Sequence, residues 1–352
     1  FMGRMTDRRD DTGFTSLATD LMQQYLDRFG ASAAAPGVML MMAETKRQAA
    51  RNAAPGERER LFGEALAAAG GVRLHPFGAA FLERSCVFKA QMLFEDLHRG
   101  EDALRELGGM VPPGPRGAIA AEELRVRILL AMPDGRGAAK WFERLAAGPD
   151  TTVAILGRYA LGRLAFLDGR FEESMKILSE LAEKHPSSKW ANDALDLAME
   201  IKGAMGEEGG TLELYRGAVL AVDRGDYAAA IDSFAALERR FPQSFLAAPA
   251  VFRKARLEAE AHADAALADS ARADFERLAE SYPLHDLAPR ALEELAALAE
   301  RANPAEAAAR YGRIMELYPD YPFMERVRER YISLSASAGA AAPAGAPKRG
   351  SK

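Results

Sequence analysis

One short pattern occurs four times in the second half of this 352-residue chain: HPSSKWANDA (185–194), FPQSFLAAPA (241–250), YPLHDLAPRA (282–291) and YPDYPFMERV (318–327). Each copy opens with an aromatic residue or a histidine followed by proline, and the following residues keep helical spacing. The four prolines, at 186, 242, 283 and 319, are 56, 41 and 36 residues apart. Recurrence at such spacings is typical of a protein built from structural repeats.

The residues before each proline form one side of a predicted helix. Apolar or small side chains stand five, eight and twelve residues before every proline, and these offsets share one helix face. In order of offset they are Leu181, Leu237, Leu278 and Ile314; Leu178, Phe234, Phe275 and Tyr311; and Ser174, Ala230, Ala271 and Ala307. Short turns such as DGRF (168–171) and RGDY (224–227) come before these helices, and another helical stretch comes before each turn. The predicted unit is therefore a helix, a short turn, a second helix and a proline-marked turn.

This unit resembles the tetratricopeptide repeat (TPR), which is a pair of helices with a period of about 34 residues. The family's small position in the first helix falls on Gly162, Ala218 and Ala259, whereas Leu295 departs from it. The resemblance implies an all-α fold, an α-solenoid of stacked antiparallel helix pairs that forms a TPR-like superhelix. The ending of proline followed by small residues is similar to the variant found in bacterial cell-envelope TPR proteins.

The repeats are predicted to cover most of the chain. The segment QYLDRFGASAAAPG (24–37) is a weaker copy in which glycine replaces proline, and DGRGAAKWFERLAAGP (134–149) is another second helix and turn. The 56-residue spacing exceeds one repeat by enough for an extra helix and a loop. We therefore expect a cut end of a preceding repeat or a disordered segment at 1–13, degenerate repeats at 14–150, clearer repeats at 151–335 with an extra helix and loop near 188–210, and a disordered Ala/Pro/Gly tail at 336–352.

The resemblance also implies that outward positions on the first helices line a concave, partner-binding groove. The residues predicted for this groove are Tyr159, Arg163, Phe166, Tyr215, Arg253 and Arg256. Aromatic residues and arginine are enriched at binding hot spots. The alternative is that the aromatic residues at helical spacing belong to the core. The lysine and asparagine pattern by which chaperone-binding members clamp a peptide C-terminus is absent, which disfavours that activity.

No motif in the sequence predicts catalysis. The patterns GxSxG, GxxxxGK[ST] and HExxH do not occur. Cys86 is the single cysteine, which excludes an intrachain disulfide and a cysteine-based zinc site. We therefore expect a protein that is not an enzyme and that has no cofactor and no metal site. A net charge of -5 disfavours nucleic acid as a partner, and no apolar run is long enough for a transmembrane helix.

The leading hypothesis is a non-catalytic scaffold that mediates protein–protein interaction, either by binding a protein or peptide partner or as a subunit of a larger complex. One alternative is the regulatory or interaction part of a larger protein with an upstream catalytic domain, because the chain opens with Phe1 before Met2. Another is a bacterial cell-envelope assembly factor, with a lean towards the periplasm. The identity of the partner and the oligomeric state stay open at this point.

Overall fold

The computed structural model describes residues 12–109, 115–132, 135–207, 209–260, 265–300 and 302–340. Every regular element in these ranges is a helix, and helices that are adjacent in the chain pack against each other in succession. The predicted all-α solenoid fold is thereby confirmed. The described residues fall into two compact units: the first comprises residues up to Leu164 with Glu180–Asn192 and Asp223–Gly225, and the second comprises Ala165–Ser179, Asp193–Val222 and residues from Asp226 onward.

The first half of the chain contains eight described helices, nearly all of them within the first unit. They are α1 (Thr12–Phe29), α2 (Ala35–Asn52), α3 (Pro55–Gly71), α4 (Leu82–Glu95), α5 (Gly100–Gly108), α6 (Pro115–Ala131), α7 (Gly135–Ala146) and α8 (Thr151–Leu167). Short 3₁₀ segments, Val72–Leu74 and Gly78–Phe81, join α3 to α4. Phe62, Val72 and Met92 belong to the apolar core among α2, α3 and α4. Prolines in the first turns of α2 and α3 fit because amides there need no helical acceptor.

The second half contains nine further described helices. They are α9 (Phe171–Lys184), α10 (Ala191–Ala204), α11 (Thr211–Asp223), α12 (Tyr227–Arg240), α13 (Ala247–Glu260), α14 (Ala265–Ser281), α15 (Leu287–Ala299), α16 (Pro304–Leu317) and α17 (Met324–Ala340). The residues predicted five, eight and twelve positions before the marker prolines are all buried, none more than 2% exposed. The helix face read from the repeats is therefore the core face of α9, α12, α14 and α16.

The proline-marked turn has the same backbone hydrogen bonds in all four copies. The residue before the proline donates its amide to a carbonyl four residues earlier, as Phe241 does to Leu237 at 2.8 Å. The carbonyl of that residue accepts the amide of the residue three positions later, as the Phe241 carbonyl accepts the Ser244 amide. The carbonyl of this later residue then accepts the first amide of the next helix, as the Ser244 carbonyl accepts the Ala247 amide. Proline has no amide hydrogen and cannot continue the helix, so it fixes the point where the second helix ends.

A fifth turn of this kind follows α1. The Ser32 amide donates to the Phe29 carbonyl at 2.9 Å, and the Ala35 amide donates to Ser32 at 3.1 Å. Gly30 stands where the other copies have proline. The weaker sequence copy at 24–37 therefore adopts the same turn.

The turns within the helix pairs also match the sequence prediction. Gly169 and Gly225 have φ values of 78° and 75°, which L side chains rarely adopt. Asp226 and Asn303 cap the helices that follow, accepting from the Ala229 and Glu306 amides at 3.1 and 3.2 Å. The local signals in DGRF, RGDY and Asn303–Pro304 are sufficient to define these turns.

The first and the last described helices both extend beyond the predicted boundaries of the repeat region. Helix α1 begins at Thr12, within the segment assigned to a cut or disordered end, and residues 1–11 lie outside the described part. Helix α17 continues to Ala340, so residues 336–340 are helical where a disordered tail was expected. Their alanines have high helix propensity and prolong the helix. Residues 341–352 lie outside the described part.

His285 gives one of the proline turns a dependence on pH. Its Nδ1 accepts the Leu287 amide at 3.1 Å, which requires the neutral ring. Burial lowers the pKa of His285, and the Asp286 carboxylate only partly opposes that shift. A depressed folded-state pKa means that stability is lost as the pH falls below the unfolded value of about 6.5. We therefore expect the free energy of unfolding to fall on acidification through that value.

The control is His285→Asn, whose amide oxygen accepts in the place of Nδ1 without titrating. Urea unfolding at a series of pH values should show a smaller loss of stability below pH ~6.5 for this variant than for the wild type. Identical profiles for the two proteins would contradict the assignment.

Candidate functional site

Two of the three aromatic residues of the predicted groove lie in the core. Phe166 and Tyr215 are both 0% exposed. Their rings meet edge to face at 6.4 Å, and Tyr215 meets Phe234 in the same way at 5.7 Å. These rings stabilise the core of the second unit and are not available to a partner. For Phe166 and Tyr215 the structure thus agrees with the alternative interpretation of the sequence, in which aromatic residues at helical spacing belong to the core.

Tyr215 also takes part in a polar cluster with Arg253 and Glu200. The Nε of Arg253 donates to the Tyr215 hydroxyl at 2.5 Å, and its Nη2 donates to both carboxylate oxygens of Glu200 at 3.1 Å. Tyr215 is on α11, Arg253 on α13 and Glu200 on α10. One arginine thus connects three helices of the second unit.

The protonation states in this cluster are set by burial and by charge. Burial is the main cause that raises the pKa of Tyr215 well above its ordinary value; Arg253 opposes the shift and Glu200 adds to it. For Arg253, burial acts against the charged form, but the carboxylate of Glu200 and the oxygen of Tyr215 raise its pKa overall. The cluster therefore holds a protonated tyrosine and a charged guanidinium.

Arg253 is fixed in place but is not enclosed. Its side chain is 38% exposed, compared with 11% for Glu200. Its Nη1 has no hydrogen-bond partner among the described residues, and it is not buried. Arg256 lies three residues further along α13, is half exposed, and meets only Glu260 of the described residues, at 3.4 Å. These two arginines are the predicted groove residues that present donors to solvent.

A second arginine of the predicted set is held in the first unit. Arg163 on α8 donates through Nη2 to Asp223 at 2.6 Å, and both side chains are less than one-fifth exposed. Burial lowers the pKa of Arg163, but Asp223 and then the Tyr159 hydroxyl raise it to a net value above the ordinary one. Arg163 is therefore held mainly by an internal ion pair with Asp223, and the Tyr159 hydroxyl lies beside its guanidinium.

Sequence reasoning missed the carboxylates that orient these arginines. Glu200 lies 53 residues from Arg253, and Asp223 lies 60 residues from Arg163. Neither spacing belongs to a motif, and both acids look like ordinary surface residues in the sequence. Only the packing of distant helices brings them to their partners.

The described residues were also compared with what a membrane span, a metal site or a reactive cysteine requires. No helix among them is long and apolar enough to cross a bilayer. Within the same ranges, no three His, Cys, Asp or Glu side chains come together as a metal-binding group. Cys86 is buried at 1% exposure, and burial is the main cause that raises the pKa of its thiol.

Comparison with known proteins relates two segments of the chain to a repeat family. The family profile described as "Tetratricopeptide repeat" matches residues 157–188 and 214–244. Among solved structures, the chain is similar to the TPR domain of P58(IPK), with 12% identity over 94% of this chain and 93% of that chain, and a TM-score of 0.18. No curated protein sequence matches the chain.

The two matched segments correspond to helix pairs seen in the structure. Residues 157–188 contain most of α8, all of α9 and the turn that follows, and residues 214–244 contain most of α11, all of α12 and their turn. The matched residues and the observed helix pairs agree with the repeat unit read from the sequence. Residues 157–188 and 214–244 therefore match the tetratricopeptide repeat both in family profile and in their succession of two helices and a turn.

Proposed function

We propose that this chain is a non-catalytic scaffold that binds a segment of a protein partner on the first helices of its repeats. TPR modules generally mediate protein–protein interaction, and a repeat fold of this kind is typically not catalytic. The observation that carries the proposal is the pair Arg253 and Arg256 on α13, with one guanidinium held in place and the other exposed. These residues supply the contact point for the partner.

The physical advantage of this pair is preorganisation. Immobilising a flexible side chain on binding costs about 0.5–1.5 kcal/mol, and Arg253 is already immobilised by Tyr215 and Glu200. A guanidinium donates paired hydrogen bonds to a carboxylate, which strengthens and orients the contact. We infer that the bound segment carries an acidic side chain opposite α13.

Two finer assignments are also proposals. Membership of a larger complex follows only from the general use of TPR modules. A cell-envelope role rests on the proline-and-small-residue ending of the repeats.

The proposal is tested by capture with the full chain from its native lysate, followed by titration of the purified partner. Arg256→Ala removes an exposed side chain and is expected to weaken binding about tenfold, the effect of losing roughly 1.4 kcal/mol at a hot spot. Arg253→Lys keeps the charge beside Glu200 but removes the planar fork, and it is expected to act in the same direction.

The matched control is Lys176→Ala, an exposed cation on α9, which is a second helix of a repeat. It should bind the partner as the wild type does. Equal affinity of the wild type, Arg256→Ala and Arg253→Lys would refute the assignment of the surface.

A further inference from the structure

The proline-marked turns place the first helices α13, α15 and α17 in one register. The residues eight positions after the three marker prolines (242, 283 and 319) are all 0% exposed, and they are Ala250, Ala291 and Val327. A position that is buried in every copy fixes how each helix is turned relative to the core. Residues at one distance from the marker proline therefore occupy equivalent places on the three helices.

Eleven positions after the same prolines, a row of charged residues reaches solvent. We call it the central row, and its members are Arg253, Glu294 and Arg330. The side chains of Arg253 and Arg330 are 38% and 58% exposed, and Glu294 is partly exposed. Along α13, α15 and α17 the central row therefore presents a positive, a negative and a positive charge.

The three helices that carry the central row are direct neighbours. The guanidinium of Arg290 on α15 lies 5.3 Å from the ring centroid of Phe252 on α13. Glu293 on α15 accepts from Arg326 on α17 at 2.7 Å. The axes of packed helices are about 8–10 Å apart, and this distance sets the spacing of the charges in the central row.

Glu294 has no cation of its own in the part of the chain that the structure describes. Arg290 stands four residues earlier on α15, a spacing at which oppositely charged side chains can pair. Instead, Arg290 pairs with Asp196 of the extra helix α10 at 3.2 Å and lies over the ring of Phe252. The Glu294 carboxylate is therefore open to a cation from another molecule.

A polyproline II segment has the geometry to meet all three charges. It has three residues per turn and a rise of about 3.1 Å per residue, so every third side chain lies on one side, about 9.3 Å from the last. This distance matches the spacing of about 8–10 Å between packed helices. A β-strand would instead turn the third residue to the opposite side.

We propose that the partner segment crosses the central row in a polyproline II conformation and carries an acidic, a basic and an acidic side chain, three residues apart. The acidic side chains meet Arg253 and Arg330, and the basic side chain meets Glu294. A uniformly acidic segment would set a carboxylate against Glu294, and such like-charge contacts are how an interface rejects a wrong partner. This inference rests on the proposed function and deepens it, because Arg253 belongs to the surface assigned there.

Two fluorescein-labelled peptides, EPPKPPE and EPPEPPE, test the charge order with the full chain by fluorescence anisotropy. Their prolines hold both peptides in the polyproline II conformation. We expect the wild type to bind EPPKPPE about fivefold more tightly than EPPEPPE, the effect of roughly one exposed ion pair. Non-specific attraction to arginines would favour EPPEPPE and so predicts the opposite result. In about 1 M salt, where the screening length is about 3 Å, the difference should vanish.

Substitutions at position 294 provide the second arm of the test. Glu294→Lys should reverse the preference, because the new lysine repels the central lysine of EPPKPPE. Glu294→Gln keeps the size of the side chain and removes its charge, and it should abolish the preference for EPPKPPE. Circular dichroism checks that both variants are folded. The matched control is Glu316→Lys, an exposed position on the second helix α16, which should keep the preference of the wild type.

A wild type that binds the two peptides equally, or that binds EPPEPPE more tightly, would overturn the proposal, and so would no measurable binding of either peptide. A preference for EPPKPPE that survives in both Glu294 variants would also overturn it. Capture that depends on Arg256, together with equal binding of the two peptides, would refute only the charge order. The proposed function itself fails if capture is unchanged by Arg256→Ala and Arg253→Lys.

Discussion

Tyr215→Ala is expected to destabilise the protein by about 4 kcal/mol, the cost of deleting a large aromatic side chain from a core. Tyr215 is fully buried between Phe166 and Phe234, so the substitution leaves a cavity that its neighbours cannot fill. It also removes the hydroxyl that accepts from Arg253. Urea unfolding followed by circular dichroism measures the change.

The control for Tyr215→Ala is Tyr215→Phe, which keeps the ring and removes only the hydroxyl. It should cost about 2 kcal/mol, the net value of one hydrogen bond to a charged group. If Tyr215→Ala were as stable as the wild type, the ring would have to be exposed, as the groove prediction from the sequence had it. The ratio of the two effects therefore separates a core role from a surface role.

Gly157→Ala is expected to destabilise the protein by about 2 kcal/mol, because overpacking a tight contact costs ~1–3 kcal/mol. Gly157 lies inside α8, where alanine would ordinarily be the better helix former. At this position a Cβ would overlap the Ala146 backbone nitrogen and Leu145 at the end of α7. Backbone atoms cannot move aside as a flexible side chain can.

The matched control is Gly217→Ala in α11. An added Cβ there meets nothing within 4 Å, and the residue is exposed. Propensity alone then decides, and the substitution should stabilise the protein by about 1 kcal/mol. Thermal unfolding of both variants should shift in opposite directions, and shifts of the same sign would contradict the close approach of α7 and α8.

The repeat pattern predicted the parts of the fold that depend on local sequence. The offsets before each proline identified buried positions such as Leu237 and Phe275, because helical periodicity and burial are linked within one turn or two. The turns followed from glycine, proline and capping residues for the same reason. Even the copy at 24–37, in which Gly30 stands at the position of the marker proline, adopts the same turn.

The candidate site could be predicted only in part. The spacing between Pro186 and Pro242 indicated an extra helix but not where that helix packs. The contacts of α10 with Arg253 and Arg290 join residues 53 and 94 positions apart, and no local signal reports them. Likewise, the family resemblance placed Tyr215 in a groove, whereas the depth of its ring in the core depends on the neighbouring helices.

Placing a photo-crosslinking amino acid at position 256 of the full chain tests most directly the central claim that partners bind the first-helix surface of the repeats. The same amino acid at position 176, on an exposed second helix, is the control. The account predicts a crosslink to the partner from position 256 and none from position 176. A crosslink from position 176 alone would place the partner on the second helices and contradict the account.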